Sequence, residues 1–99
     1  MNQKIVVIIP AFNEAEAIVK VIKDIPASIV LEIIVVNNNS TDNTASVAAN
    51  AGATVLTETA KGYGNACLTG IQYLKQMTIS PDIVVFIDGD YSDHPEELP

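Results

Sequence analysis

The 99-residue sequence has no tryptophan and one cysteine, Cys67. A single thiol cannot close an internal disulfide, so nothing marks an oxidising compartment and an intracellular setting is the default expectation. Basic residues are scarce, with 5 Lys+Arg against 12 Asp+Glu and a net charge of −7. Proteins that bind nucleic acid irrespective of sequence neutralise phosphates with Lys and Arg, so the composition argues against that class. An anionic ligand must instead be held by backbone N–H groups, by a few placed side chains, or through a metal ion. Long apolar runs are missing too. Ile5 to Phe12, interrupted by Pro10, is far shorter than the roughly 20 residues of a membrane span, and its flanks lack the marks of a signal peptide. There is no internal repeat, low-complexity tract or linker.

What is present is apolar: 48% of residues are hydrophobic and 17% charged. Such a chain can bury a core, and at this length it forms one domain or part of one. Ile5-Val6-Val7-Ile8-Ile9 is a β-branched run without polar alternation, as expected of a strand buried on both faces. Asn13 and Glu16 have the spacing of a capping box, and Ile18, Val21, Ile22 and Ile25 recur with helical period before Pro26. Ile33 to Val36 repeats the strand pattern and runs into Asn37-Asn38-Asn39-Ser40-Thr41-Asp42. Ser40 or Thr41 is expected to cap a second helix with a small face of Ala45, Ala48 and Ala49, and Gly52 sits where a left-handed C-terminal cap is wanted. Thr54 to Thr57 reads as a short strand. Gly62 to Asn65 reads as a turn into a third helix, with Ala66, Gly70, Tyr73, Leu74 and Met77 on one face and Cys67 as a small core residue. Ser80-Pro81 breaks that helix, and Ile83 to Ile87 is the fourth strand.

The order β-α-β-α-β-α-β with short connections predicts a Rossmann-like α/β fold: three layers, a parallel sheet with helices on both faces, and strand order 3-2-1-4. The switch point then lies between the C-terminal ends of strands one and four. Asn13-Glu14 and Asp88-Gly89-Asp90 would open onto the same crevice, beside the loop from Asn37 to Asp42.

Asp88 and Asp90 flank a glycine at the end of a buried strand, and carboxylates so placed suit Mg²⁺ or Mn²⁺, whose shell a diphosphate would complete. The plain alternative is a polar turn. An EF-hand fails on spacing, because Asp93 stands where glycine is needed and Pro99 where a bidentate Glu belongs. Gly62-x-Gly64 follows the wrong strand for a dinucleotide fingerprint, and no Walker-A loop is present. Lys61 to Asn65 is either a helix-start turn or a flexible turn approaching a phosphate, with Lys61 adding positive charge. His94 has no second ligand nearby in sequence, so zinc is not supported. Asp93, Pro95 and Glu96 form a helix-start pattern that stops at Pro99, which reads as truncation.

Taken together, Ile8-Ile9-Pro10-Ala11-Phe12-Asn13-Glu14, Val35 to Thr44 (V-V-N-N-N-S-T-D-N-T) and Phe86 to Pro99 resemble, in order and spacing, the motifs of family 2 glycosyltransferases of GT-A fold, including the dolichyl-phosphate mannose synthase-like members. The resemblance covers the whole chain and implies that residues 1–99 are the donor-binding part of a longer transferase domain. It implies that Pro10, Ala11 and Glu14 line a nucleoside pocket and that Asn38 faces the base. Ser40 and Lys61 join the donor site. Asp88, Gly89 and Asp90 would address the sugar-diphosphate, with Asp90, then Asp88, as metal ligands. Family members commonly carry Asp at the positions of Asn37 and Asn38, which leaves open a UDP- or GDP-linked donor. The implied reaction is metal-dependent, inverting hexosyl transfer to a polyprenyl phosphate or a saccharide, with the general base beyond Pro99 and this piece inactive alone. The implied location is cytoplasmic, at the inner face of a membrane in the full-length protein. The rivals are a non-catalytic nucleotide-binding module and a Rossmann-like phosphohydrolase. The apolar fourth strand is expected to be an open sheet edge, through which the isolated chain pairs with a second copy along residues 83–87.

Overall fold

The computed structural model describes residues 4–77 and 81–87. In it β1 (Ile5–Ala11), α1 (Ala15–Asp24), β2 (Val30–Asn37), α2 (Thr44–Asn50), β3 (Thr54–Thr57), α3 (Tyr63–Lys75) and β4 (Ile83–Phe86) follow one another. All strand pairs are parallel and the sheet order is β3-β2-β1-β4, the order expected from the sequence. The chain steps outward from β1 to β3, then α3 returns across β2 and β1 to deliver β4 on the far side of β1. A right-handed crossover that reverses direction must use the opposite face of the sheet, which is why α3 lies alone there.

β1 is buried throughout, and its side chains alternate between two cores. Ile5, Val7, Ile9 and Ala11 pack with Ile18, Val21 and Ile22 of α1 and Ala48 of α2. Val6 and Ile8 face the other way, with Ile34, Val36 and Ala66, and Tyr73 and Leu74 of α3 and Met77 just after it pack against them. α3 comes close because Gly70 has no side chain: a Cβ there would stand 2.8 Å from Cγ2 of Ile8. One register shift between Ile5 and Val6 leaves Leu31 outside the pairing and sets Glu32 opposite Val6. Glu32 Oε2 then accepts from Thr54 Oγ1 at 2.7 Å and from the Tyr73 hydroxyl at 3.0 Å, tying α3 to the sheet. At the other end of the strands from the crevice, Lys4 and Asp82 close on each other. The Lys4 N–H donates to Asp82 Oδ2 at 2.7 Å, and its carbonyl accepts from the Asp82 N–H at 2.7 Å.

Several local expectations are corrected. Asn13 does not cap α1; it adopts φ 51° and its side chain turns to another loop. The residue that precedes α1 is Glu14, and no side chain of its own caps the helix. Neither Ser40 nor Thr41 caps α2, which starts later, at Thr44 after Asn43. Ala48 is buried but Ala49 is exposed, since so short a helix turns only part of its small face to the sheet. Gly64 lies inside α3, and only Lys61-Gly62 remains as the turn before it. Cys67 is half-buried on the flank of α3. Gly52 has φ 105° and, with Ala53, donates to Ala49 and Ala48 in the left-handed cap expected after α2. None of the helices among the described residues is long and apolar enough to cross a membrane.

Candidate functional site

The expected crevice lies at the C-terminal ends of β1 and β4, just past the last described bond between them. The Ile87 N–H donates to the Ile8 carbonyl at 3.1 Å. In a parallel ladder the next bond would run from the N–H of the residue two further along β1, and that residue is Pro10. Having no N–H, Pro10 cannot make that bond, and because its other neighbour β2 does not need it as a donor, proline is tolerated in a central strand. On its other side β1 stays zipped to β2 through Ala11, paired with Asn37, and the Ala11 carbonyl accepts from the Asn38 N–H at 2.8 Å. Pro10 and Ala11 are thus buried at the end of β1, beside the expected crevice.

The loops after β1 and β2 are bonded in both directions. Asn13 Oδ1 accepts from the Thr41 N–H at 2.7 Å and from the Asp42 N–H at 3.3 Å. In return, Ser40 Oγ accepts from the Asn13 N–H and Thr44 Oγ1 from the Glu14 N–H, each at 2.9 Å. Asp42 Oδ2 accepts from the Ala15 N–H at 3.3 Å, and its Oδ1 from the Thr44 N–H at 3.0 Å and from the Thr44 hydroxyl. The hydrogen bond from Thr44 holds the Asp42 carboxyl below its ordinary range.

Asn38 joins the loop after β2 to the one after β3. It is 8% exposed, and its amide donates to the carbonyls of Glu58 at 3.0 Å and Ala60 at 2.9 Å, while Oδ1 accepts from the Gly62 N–H at 3.0 Å. Both amide hydrogens are therefore engaged within the chain. In this structure Asn38 braces the segment that carries Lys61 rather than presenting a free donor to a base. Glu58 supports the same segment, accepting from the Thr69 hydroxyl at 2.5 Å and the Ala60 N–H at 2.7 Å, bonds that also lower its pKa. Lys61 itself is exposed.

Pro10 and Ala11 at the end of β1 thus stand beside Glu14, Asn38, Ser40 and Lys61 on three hydrogen-bonded loops at one end of the sheet. Asp88, Gly89 and Asp90 lie outside the described residues, directly after Ile87 in sequence. Among the described residues no cluster of three or more His, Cys, Asp or Glu side chains could hold a metal ion. Sequence reasoning had not singled out Thr44, Glu58 or Thr69, each of which bonds a residue of another element or loop, Thr44 to Glu14 and Thr69 to Glu58.

The chain is 45% identical over 89 residues to protein RfbJ of Shigella flexneri, covering 87% of this chain and 64% of that protein. It is 40% identical over 95 residues to an uncharacterized glycosyltransferase of Mycobacterium tuberculosis, covering 96% of this chain and 40% of that relative. Among solved structures, glucosyl-3-phosphoglycerate synthase from Mycobacterium tuberculosis, in complex with Mn²⁺, UDP and glucosyl-3-phosphoglycerate, matches with a TM-score of 0.78 at 34% identity, over 94% of this chain and 36% of that one. The chain therefore spans less than two thirds of each of these relatives. The family match runs over residues 6–99, and this protein belongs to glycosyl transferase family 2.

Proposed function

We propose that this chain supplies the donor-binding half of a transferase that moves a sugar from a nucleotide-diphospho-sugar, with UDP the expected nucleotide and a divalent cation required. One observation carries the reading: the loops after β1, β2 and β3 are braced into one rim at the switch point, and Asp88-Gly89-Asp90 follows the strand on its other side. The structural relative crystallised with Mn²⁺ and UDP supports both ligands. In this reading Pro10, Ala11 and Glu14 border the nucleoside, Ser40 fixes the loop beside it, and Asn38 with Gly62 sets the segment that brings Lys61 toward the phosphates. The donor set of Asp88 and Asp90, two hard carboxylate oxygens, suits Mg²⁺ or Mn²⁺, which would stabilise the charge of the departing diphosphate. The general base and the acceptor site belong to the rest of the domain, so residues 1–99 alone bind donor without transferring sugar.

Calorimetry tests this. UDP is expected to bind with Mn²⁺ more tightly than without it, and Asp90→Asn to abolish that difference, with GDP binding more weakly. A folded chain that binds no nucleoside diphosphate in the presence of Mn²⁺ would overturn the reading in favour of a non-nucleotide module, and phosphate release from a phosphoester by the same sample would favour a hydrolase. We also propose that the isolated chain pairs through the outer edge of β4, which among the described residues has no strand beside it. Light scattering should show a dimer that Val84→Lys dissociates, and a monomer at high concentration would contradict the pairing.

A further inference from the structure

The geometry points to Asp42 as a positioning residue for donor binding: one carboxylate closes the first turns of both α1 and α2 and so fixes the spacing of the two loops that border the nucleoside. The inference rests on the donor-binding reading and deepens it. Helix starts leave N–H groups without intrahelical partners, and the usual remedy is the side chain of the residue just before the helix. Here that remedy is missing twice, for neither Glu14 before α1 nor Asn43 before α2 makes a side-chain cap bond. Asp42 replaces both. Its Oδ2 takes the N–H of Ala15, the first residue of α1 and 27 positions away, while its Oδ1 takes the N–H of Thr44, the first residue of α2. Thr44 extends the bridge, its hydroxyl donating to Asp42 and accepting from the Glu14 N–H.

A negative charge between two helix N-termini is favoured by both helix dipoles. The bridge is also directional, because a carboxylate only accepts and the groups around it are donors. Asn13 closes the circuit from the other side by accepting the Asp42 N–H. The Asp42 carboxylate therefore joins the Asn13 and Thr44 bonds in setting Glu14 against Ser40, and its two oxygens tie both helix starts together.

Asp42→Asn separates the two halves of this role. An amide can keep its oxygen on Thr44, but its NH₂ cannot accept from the Ala15 N–H. In hydrogen–deuterium exchange on the 99-residue chain, Asp42→Asn should speed exchange at Glu14 and Ala15, across the loop gap, while leaving the strands protected. In calorimetry with Mn²⁺, UDP affinity should fall by roughly tenfold, the scale of one misplaced charge-assisted hydrogen bond. Thr44→Val should act in the same direction, and Thr44→Ser, which keeps the hydroxyl, should restore wild-type binding. All variants are compared well below their melting temperatures, where a purely structural contribution leaves the affinity unchanged. Faster exchange with unaltered UDP affinity would overturn the positioning role, and unaltered exchange at Glu14 and Ala15 would overturn the bridge itself. A wild-type chain that binds no UDP would remove the donor-binding reading and the positioning role with it, leaving the exchange result to decide the double cap alone.

Discussion

The two faces of the sheet are built from the same kind of strand and closed to different degrees. On one face α1 and α2 lie side by side, and Val7, Ile9 and Val35 beneath them are fully buried. On the other, α3 crosses β2 and β1 alone. Val6 and Ile8 are 0% exposed there, yet their register partners on the same face of β4, Val84 and Phe86, are 37% and 38% exposed. α3 itself carries exposed apolar side chains, with Ile71 at 36% and Leu68 at 57%. Strand parity decides which face a side chain joins, and helix coverage decides whether that face is dry. A sequence reading of apolarity sees the first and not the second.

The sharpest test of this contrast pairs Ile8 with its neighbour Phe86. Ile8→Ala should cost about 2–5 kcal/mol, as for a buried aliphatic truncated under a packed helix, while Phe86→Ala should cost less than about 1 kcal/mol. Urea unfolding of both variants measures it, and equal losses would mean that the β4 side is covered after all. Next in size is Asn38→Asp. A carboxylate cannot donate to the Glu58 and Ala60 carbonyls, so the start of α3 should loosen, at a cost of about 1–3 kcal/mol at neutral pH. Part of that should return in acid, where a protonated carboxyl can donate one bond. Gly70→Ala follows. The added methyl meets the stiff, buried Ile8, and overpacking should exceed the roughly 1 kcal/mol that alanine returns in helix propensity, for a net loss of about 1–2 kcal/mol.

The smallest effects are the pH limbs. The hydrogen bond to Glu32 raises the Tyr73 pKa above its ordinary value of 10.0. The unfolded chain therefore releases that proton first, and the contribution of Tyr73 is present below pH 10 and lost as the pH climbs through its raised value. At the acid end, Asp42 and Glu58 have lowered pKa values, so their contributions hold above the ordinary values of 3.8 and 4.5 and vanish as the pH falls through the lowered ones. Both groups are exposed enough that salt should shrink the acid limb. Denaturant midpoints of wild type and Tyr73→Phe across pH 3 to 11 would expose the two limbs.

The strands were legible because β-branched runs such as Ile5 to Ile9 have few other uses, and the sheet order is the one that doubly wound sheets commonly take. The helix starts were not. Asn13 and Glu16 have the local spacing of a cap, but the groups that Asn13 meets are Thr41 and Asp42, and nothing within a few residues announces a partner in another loop. Asn38 escaped for the same reason: its role as a brace depends on carbonyls 20 and 22 positions away. The family resemblance, rather than residue chemistry alone, marked most of the six described donor-site candidates. Their mutual bonding is a product of the fold, and the Asp88-Gly89-Asp90 segment still rests on the sequence and on the family.

The clasp between Lys4 and Asp82 has a practical corollary. It fixes Lys4 at the end of the strands remote from the rim, so a tether joined to the exposed Lys4 side chain would hang from the back of the sheet. Immobilised on a sensor surface through Lys4, this protein would face the solution with its rim outward, whereas chemical coupling through Lys61 would block that rim.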